Sequence, residues 1–374
     1  MPVFGHNFLR LKSCIDLQVY CSAVTGEWKK YAWCSYSEPI FYCDERNTTM
    51  RAITHNTFGD PADVLQITEK EIPTPGPGQV RIQVTLATIH NHDLWTVKGS
   101  YGFVPDLPAA AGTEAVGIVD ALGEGVEGLQ VGQRVASGTS FGIWAEYALV
   151  DASGLIPVPE QLSDESAAQL VAMPFSAISL LDFLDMKPGE WLIQNSANGA
   201  VGRMLAQLAE SRGIHVVGLV RRDAGVQELA AQNISGVVST ETPGWEKQVE
   251  DITGGASIAV ALDSVGGSSA ADLVKLLGEG GTLVSFGAMG NPIMEIPSGP
   301  VIFKHITVKG FWGSKVSREM PAEKKTQLFG ELIARILDGT LTLPVDSTFD
   351  AADIVSAVRA SSEPGRAGKV LIRF

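Results

Sequence analysis

The chain has 374 residues, is 45% apolar and carries a formal net charge of −14 at pH 7. That length and apolar content suit a soluble globular protein with two separate cores, and no run of about 18 apolar residues announces a membrane span. The acidity argues against a nucleic-acid partner, which would call for a basic face.

All four cysteines, Cys14, Cys21, Cys34 and Cys43, fall within residues 1–49. Their spacings do not match paired C-x2-4-C zinc clusters, and no compact apolar run precedes a small-residue cleavage site, so the segment reads as neither a zinc lobe nor a signal peptide. Met50-Arg51-Ala52-Ile53 looks like a second, natural beginning. Residues 1–49 are therefore expected to be an upstream extension outside the catalytic machinery, with a small appended structural element as the alternative. The cysteine-free remainder suits a reducing cytoplasm.

Residues 50–173 are strand-rich, with period-two alternation in Val80-Arg81-Ile82-Gln83-Val84 and turn residues at Pro73-Thr74-Pro75-Gly76-Pro77-Gly78. His90, His92 and Asp93 form the one cluster that resembles a metal site. No Cys or third His joins them in a recognised spacing, so they are read as structural or surface groups and no metal is assigned. Tyr101, in Lys98-Gly99-Ser100-Tyr101-Gly102, is placed on a glycine-flanked loop after a helix, where a neutral phenol could project into a cleft or simply meet water. Phe141, Trp144 and Phe175 could line an apolar substrate wall, but core burial is the default for each.

Residues 174–312 alternate short apolar strands with helical stretches. Strands are predicted to end near Gln194, Val220, Val238, Leu262, Phe286 and Gly310, the rhythm of a doubly wound parallel sheet. After the first of them comes Asn195-Ser196-Ala197-Asn198-Gly199-Ala200-Val201-Gly202, a strand–turn–helix whose small residues let helix-end amides approach a pyrophosphate. The G-x-G-x-x-G spacing is absent, and glycine turns also occur in sheets that bind nothing. About 20 residues on, where an acidic side chain would hold the 2′-hydroxyl of NAD, stand Arg221-Arg222. A guanidinium fork binds a 2′-phosphate, so NADPH is expected rather than NADH, although an isolated Arg pair is usually a solvated turn. Phe311-Trp312 should split, one buried and one facing a cleft. Residues 313–374 hold a helix over 325–338, a short helix over 351–359 and a closing strand over 369–374 that should return to the first domain.

Gly112-Thr113-Glu114-Ala115-Val116-Gly117-Ile118-Val119, with Gly123-Glu124-Gly125-Val126, Val131-Gly132-Gln133-Arg134-Val135, Leu262-Asp263-Ser264-Val265-Gly266-Gly267 and Gly281-Thr282-Leu283-Val284-Ser285-Phe286-Gly287, resembles the medium-chain dehydrogenase/reductase superfamily over residues 50–374. The resemblance implies an α/β fold: a GroES-like β-rich catalytic domain over 50–173, a Rossmann NADPH-binding domain over 174–312 and a return to the catalytic domain over 313–374. Zinc members carry a His where this chain has Thr113, and a structural zinc lobe needs four clustered cysteines, so the zinc-free branch is implied. Gly112-Thr113-Glu114 looks like the quinone oxidoreductases. Residues 193–198, 220–223 and above all 301–312 look like the 2-enoyl thioester reductases.

Carried over residue by residue, the resemblance places the cofactor on Asn198, Gly199, Ala200, Val201, Arg221, Arg222, Asp223, Phe286, Gly287, Ala288, Met289, Phe311, Trp312, Gly313 and Lys369. It makes Tyr101 the proton donor. Met173-Pro174 departs from an Asn-Pro pair that lines the nicotinamide side in the enoyl reductases. The expected activity is NADPH-dependent reduction of α,β-unsaturated carbonyl compounds, most concretely trans-2-enoyl thioesters. The alternatives are quinone or enone reduction, and, in another class, a non-catalytic NADPH-binding protein. A cytoplasmic homodimer with no nucleic-acid or membrane partner completes the expectation.

Overall fold

The computed structural model describes residues 17–21, 28–32, 48–138, 140–366 and 368–374, the first two segments by their backbone alone. The chain divides into two compact units, residues 1–50 with 70–72, and residues 51–69 with 73–374. In the first, strands β1 (Leu17–Cys21) and β2 (Trp28–Ala32) pair antiparallel, Leu17 opposite Ala32. Three of the four cysteines, and most of the segment expected to be an extension, lie outside the described residues.

The larger unit contains a seven-stranded, mostly antiparallel sheet built on β3 (Gln79–Thr88). Val80, Ile82, Val84 and Leu86 are buried while Arg81, Gln83 and Thr85 are more exposed, the alternation that puts one face of a strand on a core. Helix α1 (Asn91–Val97) comes directly after it. β4 (Glu114–Leu122), β5 (Arg134–Ser137), β6 (Tyr147–Asp151) and β7 (Leu155–Pro157) complete this part, with β4 and β6 both paired to β3. Helix α2 (Met173–Phe183) leads away from it.

The next 120 residues form six parallel strands: β8 (Trp191–Gln194), β9 (His215–Val220), β10 (Val237–Ser239), β11 (Ile258–Asp263), β12 (Leu277–Ser285) and β13 (Thr307–Gly310), in spatial order β10-β9-β8-β11-β12-β13. Each predicted strand end lies within a residue of the observed one. The chain moves outward from β8 to β10 and then returns to the other side at β11, which makes the gap between β8 and β11 the switch point where such sheets bind ligands. Leu192, Ile193, Val217, Ala261 and Leu262 are fully buried because helices cover both faces of the sheet.

Helix α3 (Ala200–Ser211) and α4 (Asp223–Ala230) come after β8 and β9, and α5 (Ala322–Leu337) comes after the sheet. β14 (Val345–Asp350), helix α6 (Ile354–Ser362) and β15 (Lys369–Arg373) end the chain. β15 returns to the first sheet and pairs antiparallel with β3, Leu371 opposite Thr88. Its alternation joins the two halves. Val370 and Ile372 enter the core of the antiparallel sheet, whereas Leu371 enters a second core shared with Ile178, Leu192 and Leu205.

Candidate active site

The parallel strands all run the same way, so the turns at their C-terminal ends collect along one edge of the sheet. Asn198 to Val201 lie just past β8, Arg221 to Asp223 past β9, Phe286 to Met289 past β12, and Phe311 to Gly313 past β13. Gln194 pairs with Gly218 and Leu262, Asp263 with Ser285, and Ser285 with Gly310. The sheet register therefore brings four of the predicted cofactor segments to one crevice.

Gly199 caps α3 in an extended conformation, with no side chain on the helix N-terminus. The first-turn amides of Ala200, Val201 and Gly202 thus lack intrahelical acceptors, and the positive end of the helix is open to an anion. Close packing holds it there. A Cβ on Gly202 would come within 2.9 Å of the carbonyl oxygens of both Ser196 and Ala197, and one on Gly218 within 2.8 Å of the Ala197 Cβ. Arg221 and Arg222 are exposed, and neither is in an ion pair among the described residues. Glu241 accepts the Asp223 amide at 3.1 Å, a carboxylate close to the Arg pair. Uncapped amides and two unclaimed guanidiniums are a donor set that fits a dinucleotide with a 2′-phosphate.

Several groups here pair in a way that the sequence does not signal. Asn195, at the end of β8, spans the switch point: its amide donates to Asp263 Oδ1 at 2.6 Å and to Ser269 Oγ at 3.0 Å, and its oxygen accepts the Ser264 amide at 2.9 Å. Asp263 Oδ1 also accepts from Val265 and Gly266. This network sets the loop against which the Met289 amide bonds, to Ser264 O at 3.0 Å. An Asn at a strand end and an Asp some seventy residues later give no local hint of the pairing.

The opposite wall comes from the antiparallel half. His90 caps α1, its backbone amide donating to Asp93 Oδ2 at 2.8 Å. His90 Nε2 lies 2.5 Å from Glu114 Oε2, and Glu114 Oε1 accepts the amides of Val171 at 2.5 Å and Ala172 at 2.7 Å. Burial pushes Glu114 up to about 7, against the opposing pull of those two amides, and burial pushes His90 well below its ordinary value. Lys369, nearly buried at the start of β15, is brought down to about 8 by desolvation, partly offset by the Glu114 charge. Predicted as a cofactor contact, Lys369 thus stands in a field shared with Glu114, Asp93 and Arg203 of the first turn of α3.

Gly99, at φ +71°, ends the α1 region and turns the chain outward, leaving Tyr101 about two-fifths exposed. The Tyr101 ring lies 5.8 Å from the ring of His92. Phe311 is buried and Trp312 is 64% exposed, the split expected of that pair. Trp144 and Phe175 are buried, but Phe141 is not a core residue: it is exposed and stacked on Phe103 at 4.1 Å. Its neighbours in the loop after β5 include Gly142 at φ +85°, and the turn carries the ring out of the sheet. Met173, half-buried at the start of α2, packs against the shared core.

Thr113 occupies the position where zinc members carry a ligand, and its hydroxyl is already engaged by Asp93 at 2.7 Å and His92 at 2.8 Å. Among the described residues no group of three or more His, Cys, Asp or Glu could hold a metal ion. A zinc ion does not fit this donor set.

Residues 76–160 match the alcohol dehydrogenase GroES-like domain, and residues 200–327 match the zinc-binding dehydrogenase domain. The mitochondrial enoyl-[acyl-carrier-protein] reductase of Homo sapiens is 31% identical over 86% of this chain and 88% of its own length. A solved mycobacterial quinone oxidoreductase superposes with a TM-score of 0.79 at 25% identity, covering 87% of this chain and 100% of that one. A mycobacterial protein solved in complex with NADPH gives a TM-score of 0.75 at 25% identity, with the same coverage of 87% and 100%. With the two matched domains in this order, the crevice between them and the lost zinc ligand, the chain is a member of the medium-chain dehydrogenase/reductase superfamily, in its zinc-free branch.

Proposed function

We propose that this oxidoreductase uses NADPH to reduce the C=C bond of α,β-unsaturated carbonyl compounds, most concretely trans-2-enoyl thioesters of coenzyme A or acyl carrier protein, with Tyr101 as the proton donor. The observation that carries the proposal is the arrangement of an uncapped α3 N-terminus and the free Arg221-Arg222 pair along the crevice, with a half-exposed phenol on the other domain. Its substrate class is supported by the mitochondrial enoyl reductases among the relatives. NADPH, when bound, supplies the hydride for the β-carbon.

The chain supplies the rest. The α3 amides and Arg221-Arg222 hold the phosphates, the segments after β12 and β13 bound the crevice, and Tyr101 gives its Oη proton to the substrate α-carbon. Trp312 and the Phe103–Phe141 stack offer apolar surface to the acyl group. Quinone reduction on the same scaffold is a second reading, favoured by Gly112-Thr113-Glu114 and by the quinone oxidoreductase structure. The domain division at 1–49, 50–173, 174–312 and 313–374 belongs to this proposal and is supported by the segregation of the two sheets and the return of β15. So does a homodimer, supported by β13, an edge strand exposed at all four positions and flanked by Ile302 and Phe303. No helix among the described residues is long and apolar enough to cross a membrane. A cytoplasmic site of action is part of the same proposal, beside relatives that are named as mitochondrial.

The test compares NADPH oxidation with crotonyl-CoA and with 1,4-benzoquinone. Tyr101→Phe should lower kcat on crotonyl-CoA by about 10²-fold or more, because a positioned acid contributes ~10²–10⁴-fold. Quinone reduction should fall far less, since water can protonate the reduced oxygens. Brisk quinone turnover with none on crotonyl-CoA would select the second reading, and failure with both would leave a nucleotide-binding protein.

A further inference from the structure

We infer that His92 is a positioning residue that returns a proton to Tyr101 after each turnover, held in one tautomer for that task by Thr113 and Asp93; the inference rests on Tyr101 being the acid. A single hydroxyl proton sets the direction of these hydrogen bonds. Thr113 donates it to Asp93 Oδ1 at 2.7 Å, and the other Asp93 oxygen accepts the His90 amide at 2.8 Å, so each oxygen of this buried carboxylate holds one donor. The Thr113 oxygen is left only as an acceptor. His92 Nε2, 2.8 Å from it, must therefore donate. That fixes the neutral ring as the Nε2–H tautomer and leaves Nδ1 as the basic nitrogen.

The hydrogen bond that His92 makes runs through Nε2, which leaves Nδ1 for the proton, and the side chain is one-fifth exposed. The ring stacks on His90 at 4.9 Å, and the Tyr101 ring is its other aromatic neighbour, 5.8 Å away between centroids and tilted by 31°, which places the phenol and the imidazole side by side. The triad has the logic of a carboxylate that orients an imidazole, with Thr113 inserted between them. The charged and titratable groups around His92 are His90 and Asp93 on its own helix, Tyr101 on the next loop, Glu114 on β4, and Lys369 on β15, which faces Asp93 and Glu114.

The proton balance is simple. The Tyr101 O–H bond breaks as its proton forms the new Cα–H bond of the substrate, which leaves a phenolate. The imidazolium Nδ1–H bond then breaks, its proton passes to the phenolate oxygen, and His92 returns to the Nε2–H neutral form. A hydronium ion or buffer acid from the water side reloads Nδ1. No oxidant or reductant enters these steps.

Nitrogen-15 long-range NMR of the apo protein reads the tautomer without any substrate. Neutral His92 should appear as Nε2–H in the parent, and Thr113→Val, which removes the acceptor, should shift it toward Nδ1–H. His92→Ala should lower kcat on crotonyl-CoA by about 10-fold or more, with the NADPH dissociation constant unchanged, and added imidazole should restore several-fold of the loss. His92→Ala combined with Tyr101→Phe should be no slower than Tyr101→Phe alone, because His92 acts through the phenol. An Nδ1–H tautomer in the parent, a loss that imidazole does not relieve, or additive losses in the double variant would each overturn the inference while leaving the reductase reading intact. Absence of crotonyl-CoA turnover in the parent, or an unaffected Tyr101→Phe variant, would overturn the reading and this inference together.

Discussion

Glu114 is a fully buried carboxyl with three hydrogen-bond partners, and its environment makes it protonate near neutrality. Folding raises it from 4.5 to about 7, so between those values the native state holds a proton that the unfolded chain has released. Stability from this group is complete below about 4.5 and is lost as the pH rises through about 7. Lys369 runs the other way: lowered from 10.5 to about 8, it regains stability only as the pH climbs from about 8 toward 10.5. Denaturant unfolding of Glu114→Gln, which keeps an oxygen for the Val171 and Ala172 amides, should lose the decline between pH 5 and 7 by on the order of 2 kcal/mol relative to the parent. An identical pH slope in parent and variant would show that Glu114 is not the titrating group.

Arg221 and Arg222 make a separate prediction. Replacing both by Ala should reduce kcat/KM with NADPH by about 10-fold or more, since each hydrogen bond to a charged group contributes ~1.5–3 kcal/mol, and leave NADH nearly unchanged. Steady-state kinetics with the two nucleotides decide it, and a constant NADPH-to-NADH ratio would remove the 2′-phosphate from this strand end. Glu241 accepts the Asp223 amide next to this pair, so Glu241→Gln, which removes a negative charge there, should strengthen NADPH binding modestly.

At the scale of elements, the approach of α3 to β8 and β9 is the contact that aims the helix at the crevice. Gly202 and Gly218 sit where any Cβ meets backbone or the Ala197 methyl, and backbone cannot give way as a flexible side chain would. Gly202→Ala should therefore cost about 1–3 kcal/mol of stability and displace the first-turn amides, weakening NADPH binding measured by protein fluorescence. Normal affinity in a stably folded variant would mean that the α3 N-terminus does not hold the pyrophosphate. α1 plays the corresponding role on the other wall. Its N-cap His90 and first-turn Asp93 lock the helix start, and Gly99 at its end releases Tyr101 toward His92.

For the molecule as a whole, the doubly wound sheet ends on the short edge strands β10 and β13, and β13 is the more exposed of the two. Thr307 to Gly310 are exposed, and Phe303 (82% exposed) and Ile302 (62%), at the end of the preceding helix Ser298–Phe303, add apolar surface beside that open edge, a combination that can pair with another chain. Phe303→Asp should shift sedimentation equilibrium from dimer to monomer with little effect on thermal stability, and a parent that sediments as a monomer would refute the homodimer.

The strand rhythm over 174–312, the α3 turn and the zinc-free branch were legible in the sequence because each is a local signal: short apolar runs, small residues before a helix, and Thr113 in place of a ligand. The return of the last strand was legible too, as an apolar run left over after the parallel sheet was complete. Local pattern cannot carry which residues from distant segments meet. Asn195 and Asp263, His90 and Glu114, and Lys369 with Glu114 are joined only by sheet register and by the closing strand. Phe141 was misplaced for the same reason, since an aromatic in a loop is core or surface according to a turn whose direction the neighbouring residues do not fix. The sequence by itself determined the layers and the edge along which a nucleotide can lie. The tertiary structure decided the protonation of the buried groups and the tautomer of His92, because those depend on burial and on hydrogen-bond partners supplied from elsewhere in the chain.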